Sequence, residues 1–287
     1  MRQLLSYIKS ARSAEVTMML GFPATGILFA FSKPEELIKI EIFIFIVAIF
    51  FLSSAIYSYN ALAGIKEDEE NDRLKNDLGS NKKSFFKWSL AVFVTMFIFL
   101  FSFIDILLAI LSMVSFLLWF LYSFPEKGLK YRPVAGTVIH FTGQIIHFHM
   151  GYIILKDMGI HSLLVSVYFA ILFASGHINH ELIDYEADKA MNVSSGAVFF
   201  GKKKWEKVSF MLFLFSTFYL IILMLLKVTE FVICWPFILA GTVHSVYRLK
   251  YLRKDLTRIR FLKERTFYRT VYFLSGAAFL TLKILSI

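Results

Sequence analysis

Nine stretches of this chain are apolar on every side, and that feature limits the fold more than any other. They run over residues 15–32, 37–63, 88–104, 106–124, 133–155, 160–183, 208–226, 230–247 and 267–286. A helix needs roughly 20 apolar residues to cross the hydrocarbon core of a bilayer, and most of these stretches come close to that length. Only Asp105 parts the third from the fourth, so that boundary is soft. A water-soluble helical bundle would need polar faces that these segments lack. The chain is 57% hydrophobic and holds 33 Phe in 287 residues, against about 45–50% apolar for a soluble domain. The reading is an all-α integral membrane protein of about nine transmembrane helices, organised as one domain over residues 1–287: two pseudo-repeated four-helix halves and a ninth helix.

Charge placement supports this division. With the N-terminus in the cytoplasm, the tail and the loops after helices two, four, six and eight are internal. All but five of the 31 Lys and Arg fall there; the exceptions are Lys33, Lys39, Lys156, Lys227 and Lys283. Cytoplasmic loops of membrane proteins carry such an excess, so the bias predicts the orientation. It also accounts for the net charge of +10 without nucleic acid as a partner. The basic segment 248–269, with nine Lys and Arg, reads as contact with anionic lipid. Met1–Ala14 reads as an interfacial amphipathic helix, with no cleavable signal peptide visible. The single cysteine, Cys234, excludes an intramolecular disulfide and any cysteine-based zinc or iron–sulfur site within one chain.

The internal loops are long and charged and the external ones short, so chemistry on charged substrates belongs to the cytoplasmic face. Two of these loops are rich in acids. Helix two runs into Asn60-Ala-Leu-Ala-Gly64-Ile65-Lys-Glu-Asp68-Glu-Glu-Asn-Asp72-Arg73, and helix six into His177-Ile-Asn-His-Glu181-Leu-Ile-Asp184-Tyr-Glu-Ala-Asp188-Lys189. On a continuing helix, three- and four-residue spacing puts Asp68 above Asp72, and Glu181, Asp184 and Asp188 in a second column. Like charges so placed repel, and a bound cation relieves the repulsion. Carboxylates without His or Cys in the column suit a hard, oxygen-preferring ion. Mg²⁺ takes one or two carboxylates plus substrate phosphates, so two columns together suit a magnesium–diphosphate clamp. A solvated acidic loop, with salt bridges to Lys66, Arg73, Lys75 and Lys189, is the competing reading for either motif alone. Their recurrence four helices apart, as in a repeated half, favours the clamp.

The second motif, Glu181-x-x-Asp184-x-x-x-Asp188, resembles the D-x-x-D-x-x-x-D signature of the UbiA superfamily of intramembrane prenyltransferases. Val193-Ser-Ser-Gly-Ala-Val-Phe-Phe-Gly201 is similar to that family's G-x-x-T-x-A-x-x-x-G stretch, with Ser195 where Thr is usual. Leu121-Tyr122-Ser-Phe-Pro-Glu-Lys127-Gly-Leu-Lys130-Tyr-Arg132-Pro133-Val-Ala-Gly136 resembles its loop between helices four and five. The first motif departs more: Asp68 and Asp72 match its later acids, but Gly64-Ile65 stand where the family has Asn-Asp. Asn60 is one turn earlier on the same face.

The resemblance implies nine transmembrane helices around a central cavity open to the cytoplasmic side. It also implies Mg²⁺-dependent transfer of a prenyl group from an allylic prenyl diphosphate to a small aromatic, quinone-precursor or lipid acceptor. A terpene cyclase of the same fold and a non-catalytic or transport relative are the alternatives. In this reading Asp68, Asp72, Glu181, Asp184 and Asp188 hold metal, directly or through water, and all but Glu181 count as catalytic. Lys130 is the leading diphosphate contact, ahead of Lys127, Arg132, Arg73 and Lys189. Tyr122 hydrogen-bonds the head group, and Asn60 and His177 lie one turn deeper on the acidic faces. His140, Gln144 and His147 form a polar stripe on helix five. It reads either as an acceptor pocket, with His140 and Gln144 foremost, or as interhelical hydrogen bonding.

Overall fold

The computed structural model describes residues 13–65, 82–125, 127–251 and 256–286. Within them the chain forms nine helices of eighteen residues or more: α1 (Ser13–Ala30), α2 (Ile40–Ala63), α3 (Lys82–Ile104), α4 (Ile106–Ser123), α5 (Ala135–Tyr152), α6 (Ile160–Ala190), α7 (Lys202–Leu225), α8 (Phe231–Tyr251) and α9 (Arg258–Ser286). A one-turn helix, Gly196–Phe200, precedes α7. Six of the long helices, α2, α3, α4, α6, α7 and α8, are long and apolar enough to cross a membrane; α1 supplies a shorter apolar run, Glu15–Ala30. Apolar side chains such as Phe43, Phe103, Phe218 and Phe273 are largely exposed, as expected of a surface whose solvent is lipid.

The soft boundary at Asp105 is a true break. Its backbone is extended, at φ −164° and ψ 141°. Its carboxylate accepts hydrogen bonds from the amides of Leu107 (2.7 Å) and Leu108 (3.3 Å). That caps the exposed N–H groups of α4, so one acid separates two apolar helices.

The chain packs as two compact units. The first holds α1 to α4 and Ile146–Lys156. Here α2 lies against α1, α3 and α4. The C-terminal part of α5 crosses α1 at glycine on both sides. A Cβ at Gly26 would fall 1.9 Å from the Phe148 carbonyl oxygen, and one at Gly151 would fall 1.9 Å from that of Pro23. Small residues of this kind let membrane helices touch backbone to backbone.

The second unit holds Lys130–Ile145 and the chain from Asp157 onward. In it α7 packs on α6 and α8, and α9 packs on α6 and α8. A buried cluster of Ile178, Leu182, Ile183, Ala197, Trp205 and Phe261 joins α6, the one-turn helix, α7 and α9.

Two cations of the basic segment 248–269 depart from the lipid-facing expectation, whereas Lys250, Arg258 and Lys263 are exposed. Arg248 and Arg260 are buried, at 0% and 4% exposure. The Arg248 Nε lies 2.9 Å from Glu264 Oε1, and Arg260 Nη2 lies 3.1 Å from Glu264 Oε2. Arg260 also donates to the Glu206 carboxylate. Arg248 donates to Ser209 Oγ (2.9 Å), and that hydroxyl donates to the Ser175 carbonyl (3.0 Å). Two cations and two anions balance inside the unit, because a buried charge without a partner would be costly.

Candidate functional site

Helix α6 runs unbroken to Ala190, so the spacing expected for the second motif is realised. His177, Glu181, Asp184 and Asp188 share one face of a single helix. The local reason is the sequence: no Gly or Pro falls between His177 and Lys189, and the helix closes with the Met191 amide donating to the Ala187 carbonyl (3.0 Å) and the Asn192 amide to the Lys189 carbonyl (3.3 Å). Burial falls along this face. His177 and Glu181 are buried, whereas Asp184 and Asp188 are half-buried.

Glu181 is hydrogen-bonded through one oxygen and faces an imidazole with the other. The indole Nε1–H of Trp205 donates to Glu181 Oε2, and His177 Nε2 lies 3.4 Å from Oε1. The His177 ring stacks on His140, with centroids 3.6 Å apart and planes 17° from parallel. His140 Nδ1 is 2.8 Å from the Gly136 carbonyl oxygen. That bond assigns the proton to Nδ1, because a carbonyl only accepts. Trp205, which sequence reasoning passed over, is thus a direct partner of the acidic motif. Its place at the start of α7, just past the Val193–Gly201 stretch, was the only signal.

The polar stripe of α5 divides. His147 Nε2 and Ser115 Oγ share a hydrogen bond of 2.7 Å within the first unit, which is the interhelical reading. His140 belongs to the second unit and faces His177. Gln144 is buried at 1% exposure, and its Oε1 has no hydrogen-bond partner among the described residues.

Lys130 sits in a short 3₁₀ turn, Leu129–Tyr131, with its ammonium 4.8 Å from the centre of the Tyr131 ring. It is half-buried, whereas Lys127 and Arg132 are exposed. Val134, just after Pro133, has φ 68°, a conformation that β-branched residues rarely adopt. Lys189 is exposed at the end of α6.

In the first unit, Tyr122 is half-buried and meets Trp119 edge to face at 5.6 Å. Asn60 donates its side-chain amide to Ser123 Oγ at 2.7 Å, linking α2 to α4. Gly64 caps α2, its amide bonded to the Asn60 carbonyl at 2.9 Å. Asp68, Asp72 and Arg73 lie outside the described residues.

Among the described residues no three His, Cys, Asp or Glu side chains gather as a metal-binding group. Asp184 and Asp188 remain a pair of oxygen donors one turn apart at a helix end. That donor set fits the one or two carboxylates that Mg²⁺ takes from protein when phosphates supply the rest.

The architecture is that of an all-helical membrane protein with an acid-rich helix end backed by a buried His–Glu–Trp chain. The chain belongs to the UbiA prenyltransferase family, whose model matches residues 19–277. No curated protein matches it in sequence. Solved structures with the same fold include one from work on digeranylgeranylglyceryl phosphate synthase, 17% identical with a TM-score of 0.72 over 99% of each chain. Another is a UbiA homolog from Archaeoglobus fulgidus bound to DMAPP and Mg²⁺, 15% identical with a TM-score of 0.73 over 95% of this chain and 99% of that one. A third is the apo form of a UbiA homolog from Aeropyrum pernix K1, 13% identical with a TM-score of 0.70 over 93% of this chain and 96% of that one.

Proposed function

We propose that this protein transfers a prenyl group from an allylic prenyl diphosphate to a small acceptor within the membrane, in a Mg²⁺-dependent reaction. The reading is carried by one observation: a chain matched by the family model over residues 19–277 keeps Asp184 and Asp188 on one face of an unbroken helix. The likeness in fold to a homolog bound to DMAPP and Mg²⁺ and another bound to GPP and Mg²⁺ supports the choice of substrate and metal.

Asp184 and Asp188 would hold the metal, with Asp68 and Asp72 as the acids of the first motif. Magnesium, when bound, neutralises charge on the departing diphosphate. Lys130 adds positive charge on the same group, with Arg73 in support. Tyr122 and Asn60 contribute polar contacts from the first motif's half of the chain. His140, His177 and Gln144 serve the acceptor or the head group, and apolar walls keep out water that would quench an allylic cation. The proposal includes one domain, nine membrane spans, and a cytoplasmic N-terminus and site.

The test is mass spectrometry of products from cells fed labelled prenyl diphosphates of several lengths, together with Mg²⁺-dependent pyrophosphate release in purified membranes. The expected result is one labelled product that is lost in Asp184→Ala. Unchanged product in that variant refutes the site, and no release with any chain length refutes the reaction.

A further inference from the structure

The Trp205 indole is closely packed and 5% exposed. Phe200 stacks on it at 5.1 Å with planes 19° apart. Gly196 lies so close to the ring that a Cβ there would fall 2.3 Å from Cζ2 and 2.8 Å from Nε1. The remaining contacts come from the buried cluster around Ile178, Leu182 and Phe261. A ring fixed in this way has a fixed N–H direction, and that direction ends on Glu181 Oε2. Glu181 Oε1 faces His177, which stacks on His140. The chain Gly196–Trp205–Glu181–His177–His140 is therefore continuous and lies within one compact unit.

Such a chain changes what Glu181 can do. An indole N–H only donates, so the lone pair it engages is not offered to a cation at the same time. The other oxygen is turned to an imidazole. The carboxylate is 9% exposed, whereas Asp184 and Asp188 are more open. The sequence departs from the family pattern at this acid, and the extra methylene of Glu relative to Asp gives the reach to a ring on another helix.

We infer that Glu181 is a positioning residue and not a metal ligand: Trp205 fixes its carboxylate, and the carboxylate holds His177, and through it His140, in one orientation. The inference rests on the reading in which Asp184 and Asp188 meet the metal.

The test uses the purified full chain in detergent. Mn²⁺ stands in for Mg²⁺ in electron paramagnetic resonance titrations with geranyl diphosphate, and ¹⁵N-indole labelling reports on the four tryptophans. In Glu181→Gln the Trp205 indole N–H resonance, assigned by its loss in Trp205→Phe, moves upfield as a charge-assisted bond is lost. The other three indole signals stay in place and show that the variant is folded. Turnover falls about tenfold or more, as kcat more than KM, in Glu181→Gln, Glu181→Asp and Trp205→Phe. Mn²⁺ affinity in these three stays within about threefold of wild type, while Asp184→Asn loses about tenfold or more. Glu181→Asp is decisive, because it keeps a carboxylate for a metal and loses the reach to Trp205. An indole signal unmoved in Glu181→Gln, Mn²⁺ affinity lost there in step with Asp184→Asn, or full turnover in Glu181→Asp overturns the positioning role. Wild-type protein that binds no Mn²⁺ with geranyl diphosphate overturns the diphosphate reading instead.

Discussion

Arg248 and Arg260 carry full charge where water does not reach, and their partners sit beside them. Glu264 answers both, and Glu206 answers Arg260. Removing one member strands the rest: Arg260→Met leaves two carboxylates facing one arginine, at a cost of about 3–5 kcal/mol. Thermal unfolding in detergent should show a clear loss of stability, partly restored when Glu206→Met is added. A single variant as stable as wild type means the pair contributes nothing. Gly196 is a second sensitive point, since Gly196→Ala would drive a methyl into the Trp205 ring. Overpacking of that kind costs about 1–3 kcal/mol. Glu206 and Glu264 were the visible clue to the ion network, as acids inside otherwise basic stretches. The pattern of charges along the chain does not say which cations turn inward, so Arg248 was indistinguishable from Lys250.

At the level of elements, the helix ends decide most. Asp105 makes α3 and α4 two helices through two side-chain-to-amide bonds. Asp105→Ala should cost roughly 0.5–2 kcal/mol, seen as faster hydrogen exchange at Leu107 and Leu108. Exchange rates that do not change would mean the break is set by packing alone. The crossing of α1 with the end of α5 depends on the absence of side chains at Gly26 and Gly151. Gly151→Val should lower the unfolding temperature of the protein in detergent, and an unchanged value would refute the close crossing. The helices were legible from the length of their apolar runs, but α3, α6, α7 and α9 extend beyond those runs into polar residues, α9 starting at Arg258. The crossing was not, because a glycine in an apolar run reads the same whether it faces lipid or another backbone.

For the molecule as a whole, the proposed orientation can be read directly. In a Cys234→Ala background, Lys227→Cys should react with a membrane-impermeant maleimide in intact cells, and Lys203→Cys only after permeabilisation. The opposite pattern inverts the protein and removes the cytoplasmic site. The lipid-solvated class, the helical makeup and the acidic face of α6 all follow from sequence, since chain length, hydropathy and 3.6-residue spacing are local properties. Family membership was legible for the same reason: the motifs are short and ordered along the chain. Tertiary structure alone decided that Trp205 reaches Glu181, that His140 stacks on His177 and that two arginines turn inward. Each of these joins residues on different helices, and the distance between such residues is set by packing, which no local pattern of residues records.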